Sequence, residues 1–367
     1  MESSAKRRAA LSWARGGDLP PQRLWKALKE AGSLEALLAL PERELAGCLG
    51  SPARAGALLK APDDRRAERW AAEIERAGYI LLTAFDEAYP PALLEIADPP
   101  FALFARGRLE RLTLPAVAVV GSRAASRYGR DVAARIAREL SQAGVTVVSG
   151  FARGVDAAAH EAAQEGPGGT IAVFGCGLDV DYPRENARLK EAMETTNLLL
   201  SEHPPGVEPR AAYFPVRNRI IAGLSAGVVV VEASRRSGSL ITARLAADFG
   251  RDVFAVPGSV FSETSAGTHE LLKDGAILCR GAEDVLAELF PSVGRRRAAG
   301  GSAVSTASLS AEARSVLAAL SREESLTAED LVTAADLSAA TVLAALFELE
   351  GAGLAVEDSG RYSSRER

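Results

Sequence analysis

Residues 121–129 read GSRAASRYG and follow the apolar run AVAVV at 116–120. A glycine turn between a buried strand and a helix offers free backbone N–H groups to an anion, and glycine lets the backbone approach it closely. Gly121 and Ser122 supply such a turn, and Arg123 adds a planar fork suited to phosphate or to stacking on a base. Ser126, Arg127 and Arg130 bring a hydroxyl and two more guanidinium groups to the helix start. A dinucleotide fold asks for bare glycine where Arg123 and Ser126 stand, so an anionic polymer suits this loop better than a pyrophosphate. In FPVRNR, 214–219, Phe214 precedes a proline fit for a helix's first turn. Arg217 and Arg219 follow where the helix dipole disfavours cations, and an anion bound between them would reverse that penalty. An aromatic beside arginines is also the composition of a single-strand stacking platform. EASRRSGS, 232–239, repeats the theme with Arg235, Ser237 and Gly238, and SGFARGVD, 149–156, adds Arg153. A blander arrangement satisfies the same residues: ordinary strand-to-helix turns with solvent-facing arginines, Phe214 as a core plug and arginines paired with loop acids.

What must position these loops is a set of short apolar runs. AVAVV, VTVVS, TIAVF, LLLSE, VVVVE, VFAVP and AILC alternate with helical stretches between 116 and 290, and their spacing suits helical crossovers rather than hairpins. The fold class expected is α/β, a doubly wound parallel sheet whose loops all emerge at the carboxyl edge, where such sheets bind ligands. Residues 1–78 read as a small helical domain, and 79–115, extended and interrupted by prolines, as padding for the sheet domain, which then spans 79–290. A polar, glycine-containing linker covers 291–310. Residues 311–367 give three helix-like segments and a short β-wing. The net charge of -5 hides an uneven distribution, because 311–367 alone holds 5 Lys and Arg against 11 Asp and Glu. A wing-bearing domain of that charge repels phosphate, so a partner-binding or regulatory role is expected of it.

Several chemistries are disfavoured by what the residues lack. The three cysteines, Cys48, Cys176 and Cys279, lie far apart with no CxxC pair, which argues against a disulfide framework or a zinc site and fits a reducing cytoplasm. The longest apolar run, IIAGLSAGVVVV, is too short to span a bilayer, and the N-terminal stretch lacks the apolar core of a signal peptide. EGPGGTIAV superficially matches a nucleotide-hydrolase signature but supplies no glutamate three residues after its threonine. His160, His203 and His269 show no metal or triad spacing and read as structural, as does Cys176. Asp156, Asp179 and Glu232 read as capping or arginine-pairing groups, and no Walker lysine is present. The reading is a protein with no catalytic residues, metal or cofactor; the alternative is a nucleotide-processing hydrolase using the same crevice.

GSRAASRYG, SGFARGVDAAAHEAA, TIAVFGCGLDVDYPRENARL, SEHPPG, the long run beginning FPVRNRIIAGLSAG and GTHELLKDGA occur in an order that resembles the DNA-processing protein A (DprA/Smf) family, over about 79 to 285. The helical start is similar to that family's sterile-alpha-motif-like domain and the tail to its winged helix. The resemblance implies an extended Rossmann core that forms a homodimer and binds single-stranded DNA. It further implies loading of the RecA recombinase onto the strand in natural transformation, in the presence of single-strand-binding protein. Family DNA contacts carry over to Gly121, Ser122 and Arg123 and to Phe214, Arg217 and Asn218. Many relatives carry a lysine three residues before that phenylalanine; this chain has Ala211, with Arg210 one place earlier as a substitute.

Overall fold

The computed structural model describes residues 21–60, 65–291, 309–320, 325–351, 354–358 and 360–364. Most of the expected linker therefore lies outside the described residues. The chain divides into two compact units, Met1–Arg295 and Arg296–Arg367.

Among its described residues the first unit begins with five helices, α1 to α5, over Pro21–Ala31, Leu34–Leu38, Glu42–Leu49, Pro52–Lys60 and Arg65–Arg76. Leucines at helical spacing, among them Leu24, Leu28, Leu37, Leu45 and Leu49, close a small core whose lid is Phe101 from outside the helices. Trp25 lies against that ring at 4.8 Å between centroids and donates its indole N–H to the Pro99 carbonyl at 2.7 Å.

A nine-stranded sheet follows. Its strands are β1 Ile80–Thr83, β2 Ala102–Gly107, β3 Ala116–Val120, β4 Thr146–Ser149, β5 Thr170–Phe174, β6 Leu198–Ser201, β7 Gly227–Val230, β8 Asp252–Ala255 and β9 Ile277–Leu278. They lie in the order β1-β2-β6-β5-β4-β3-β7-β8-β9. The seven strands from β3 onward are the apolar runs read from sequence, and all pair in parallel. Residues 79–115 are not padding: β2 pairs antiparallel with β6, and β1 antiparallel with β2, so the sheet is mixed. The double proline at 99–100 hides this in the sequence, yet it stands just before β2 and costs the ladder nothing.

Alternation along the parallel strands feeds two cores. Ala118, Val120, Val148, Val228 and Val230 face one side. There they meet helices that we label α10 (Tyr213–Leu224) and α11 (Ser239–Asp248), counting α6 (Pro91–Leu94) to α9 in chain order. Val117, Val119, Val147 and Val229 face the other side. That face is covered by α7 (Arg127–Gln142), α8 (Val155–Ala163) and, after α12 (Ala266–Lys273), α13 (Ala282–Leu289). α9 spans Ala187–Thr196. The sheet is doubly wound, and its carboxyl edge carries the loops.

The second unit is a winged helix: α14 (Ala311–Ala319), β10 (Leu326–Thr327), α15 (Ala328–Ala335), α16 (Ala339–Gly351), β11 (Ala355–Asp358) and β12 (Arg361–Ser364). The strands order β10-β12-β11, and Val342, Leu346 and Leu349 of α16 are buried with Val316 and Leu331. Thr327 and Asp330 close a capping box at the start of α15.

Candidate functional site

The loops after β3, β4, β5 and β7 converge on one crevice. Gly121 leaves β3 where a Cβ would lie 2.7 Å from a Val155 methyl, so only glycine lets the turn press against α8. Gly154, at φ 79°, brings the β4 loop equally close: its Cβ would stand 2.3 Å from the Ser122 carbonyl. Val155 N–H donates to that carbonyl, and Ser122 Oγ accepts from Ala124 N–H at 3.1 Å. Thus the GSR turn is held from both sides while Arg123 is left exposed.

Arg123 extends over the Phe214 ring, 5.2 Å from its centroid. Tyr182 stacks on Phe214 at 5.4 Å with 30° between planes. Gly175 makes room for this assembly, since a Cβ there would meet Phe214 Cδ1 at 2.9 Å. The group divides the crevice into two chambers. One, of about 640 Å³, is lined by Gly121, Ser122, Asn218, Ser237 and Gly238; the other, of about 420 Å³, by Phe151, Arg153, Pro183, Arg184 and Glu185. Arg123, Tyr182, Phe214 and Arg217 border both.

Arg217 is 6% exposed and lies across the floor. It donates to the carbonyls of Gly150, at 2.8 Å, and Val173, and through Nε to Asn218 Oδ1 at 3.3 Å. Asp156 accepts from the Gly150 and Ala152 N–H groups at 3.1 and 3.3 Å. Burial raises the Asp156 carboxyl above its ordinary range, opposed by the charge of Arg217. Burial pulls Arg217 down to about 10, which still leaves it cationic at neutral pH. A buried guanidinium with partly satisfied donors, under an aromatic stack, suits an anion with a planar group attached. Asn218 donates to the Gly238 carbonyl at 3.3 Å, tying the β7 loop to α10.

The remaining sequence-selected residues sit elsewhere. Arg219 is buried in a different place, paired with Asp98 at 3.3 Å and Glu202 at 2.7 Å; no anion bridges it to Arg217, because residues two apart on a helix point about 200° apart. Ser126 caps α7, accepting from Gly129 N–H at 3.0 Å and donating to Glu232 at 2.6 Å, so its hydroxyl is already in use. Arg127 projects into solvent beside Asp131, Arg235 pairs with Glu270, and Arg210 lies over Tyr213. Arg153 borders the smaller chamber and pairs across its rim with Glu185 at 3.5 Å. Tyr182 was not singled out by the sequence, although its GLDVDYP stretch carries part of the resemblance. Nothing local marks it as facing a ring 32 residues away.

His160 is fully buried, its Nδ1 2.6 Å from Thr170 Oγ1, and Cys176 is buried with its thiol pushed up to about 11. Among the described residues no His, Cys, Asp and Glu side chains cluster to hold a metal ion, and no single helix is long and apolar enough to cross a membrane.

Against known families, the pattern described as DNA recombination-mediator protein A matches residues 80–290, and the DprA winged helix domain matches 301–361. The chain belongs to the DprA family. It is 50% identical to the DprA of Streptococcus pneumoniae over 203 residues, 55% of this chain and 72% of that protein. It is 48% identical to protein Smf of Escherichia coli over 217 residues, 59% of this chain and 58% of that protein. The solved S. pneumoniae DprA superposes with TM-score 0.67 at 40% identity, covering 78% of this chain and 98% of that one. A DprA structure from Helicobacter pylori, described as revealing a single-stranded DNA binding mode, gives TM-score 0.53 at 33% identity, covering 58% of this chain and 96% of that one. The crevice loops of this DprA-family chain all fall inside the segment matched to the recombination mediator.

Proposed function

We propose that the crevice binds single-stranded DNA and that the protein, as a homodimer, loads a RecA-type recombinase onto strands coated by single-strand-binding protein, with no cofactor or catalysis of its own. The observation that carries this reading is the Arg123–Phe214–Tyr182 stack set between two chambers over the buried Arg217. Stacking tolerates any base, and guanidinium groups take the backbone, which is the chemistry of sequence-independent strand binding. Gly121, Ser122 and Arg123 would hold one phosphate, with Arg123 leaving the Phe214 ring to do so and freeing that face for a base; Arg217 and Asn218 would form the floor, and Ser237 and Gly238 the far wall. The single-stranded DNA binding described for the H. pylori relative supports the strand-binding reading. Hydrolysis finds less support here, because the Asp156 carboxylate is occupied by two backbone N–H groups beside Arg217.

Fluorescence anisotropy on oligothymidylate tests the binding. Arg123→Ala is expected to lose about 1.5–3 kcal/mol, roughly 10- to 150-fold in Kd, with the fold intact. Filament growth by recombinase and ATP on strand coated with single-strand-binding protein tests the mediator role: wild type accelerates it and the variant does not. Unchanged affinity in folded Arg123→Ala would remove the crevice assignment, and no acceleration by wild type would leave strand protection alone.

A further inference from the structure

The loop that follows β8 carries Phe261, at 96% the most exposed large apolar side chain among the described residues, beside Val260 at 80%. Such a tip is costly to leave in water, yet it stands on a loop that is firmly held at its base. Thr264 returns its carbonyl to Ala233 N–H at 2.7 Å and its hydroxyl to Glu232 at 3.3 Å, and His269 Nε2 lies 3.1 Å from the Gly258 carbonyl. The loop is therefore presented, not loose. At its start, the Pro257 carbonyl accepts from the Tyr128 hydroxyl at 3.0 Å, which sets the half-exposed Tyr128 ring against it. Arg127, beside that tyrosine, has a side chain 90% exposed, and its 3.7 Å contact with the 71% exposed Asp131 is too open to hold it. Two aromatics and a solvated guanidinium thus stand just beyond the crevice.

Their place in the sheet gives them a direction. The crevice is built on the loops of β5, β4, β3 and β7, and β8 is the next strand in the same order. From β5 to β8 is four strand spacings, about 19 Å along the carboxyl edge. A single strand that stacks on Phe214 and passes the GSR turn toward β7 is carried onto the start of α7 and the β8 loop. We infer that Arg127, Tyr128 and Phe261 form an outer subsite that takes flanking nucleotides of the same strand, through backbone phosphate at Arg127 and base stacking at the two rings. Glu263, exposed two residues past Phe261, makes the loop itself a poor phosphate ligand, so stacking carries its contribution. The inference rests on the crevice reading above and extends it by a second binding position.

The test compares full-length wild type, Phe261→Ser and Arg127→Ala on two oligothymidylates, one of about six nucleotides that fills the crevice and one of about twenty that outruns it. Phe261 is exposed, so its replacement leaves the fold alone. Phe261→Ser is expected to weaken the longer strand about fivefold or more and leave the shorter one unchanged, and Arg127→Ala to reduce the log–log salt slope on the longer strand by about 0.7. Equal affinities of wild type and both variants on the longer strand overturn the outer subsite while leaving the crevice standing. So does a Phe261→Ser effect confined to sedimentation, which would give this loop to a second copy of the chain. Failure of wild type to bind either strand overturns the crevice reading, and the outer subsite with it.

Discussion

Phe214 depends on a residue that has no side chain. Its ring occupies space that a Cβ on Gly175 would enter at 2.9 Å, a distance side chains do not tolerate without movement. Gly175→Ala therefore displaces the ring from between Arg123 and Tyr182 without removing any side chain of the proposed strand site. We expect it to weaken oligothymidylate binding about fivefold or more, since one stacked base is worth about 1–3 kcal/mol. Anisotropy checks this, and unchanged affinity would show that the ring's position is immaterial. The same scale shows what was legible in the sequence. That Arg123, Phe214, Arg217 and Asn218 come together at one crevice was readable, because each sits within a few residues of the turn or helix start that aims it. Tyr182 was not, since its partner is set by the sheet order, and Arg219 was misread because sequence proximity conceals that alternate helical residues diverge.

α8 and β5 meet through His160. Thr170 Oγ1 donates to the Val147 carbonyl at 2.7 Å, so His160 Nδ1 must donate to Thr170, leaving Nε2 bare in an apolar core. Burial pulls this imidazole down to about 3, below the ordinary 6.5. With the folded value the lower, the unfolded chain binds the extra proton between pH 6.5 and 3. Stability from this group is complete above 6.5 and falls as pH drops, by up to about 1.4 kcal/mol per pH unit. Denaturant titrations at several pH values should show a shallower acid loss in His160→Gln than in wild type; identical slopes would exclude the histidine. Elements were legible where apolar runs exceeded the length of a turn, as in β3 to β8. β1 and β2 were not, because four apolar residues after a helix and a run after two prolines carry no sign of antiparallel pairing with a strand about 100 residues later.

At the scale of the whole molecule, charge separates the two units. Residues 311–367 carry 11 acidic against 5 basic side chains, and α16, where a winged helix would meet a duplex, has no Lys or Arg and exposes Leu343 and Phe347 at 52% and 80%. A chain ended near Pro291 should keep its single-strand Kd within about threefold, or about 0.65 kcal/mol, by anisotropy; a larger loss would give the winged helix a direct part in DNA contact. Within the first unit, Glu232 receives Ser126 from the β3 loop and Thr264 from the β8 loop while itself lying in the loop after β7. One carboxylate thereby fastens three neighbouring loops of the sheet edge. A wall fastened in this way has little motion to surrender when it is occupied. If the proposed strand binds there, the ordering entropy of association falls mainly on the nucleic acid, which settles on a surface whose shape was fixed when the chain folded.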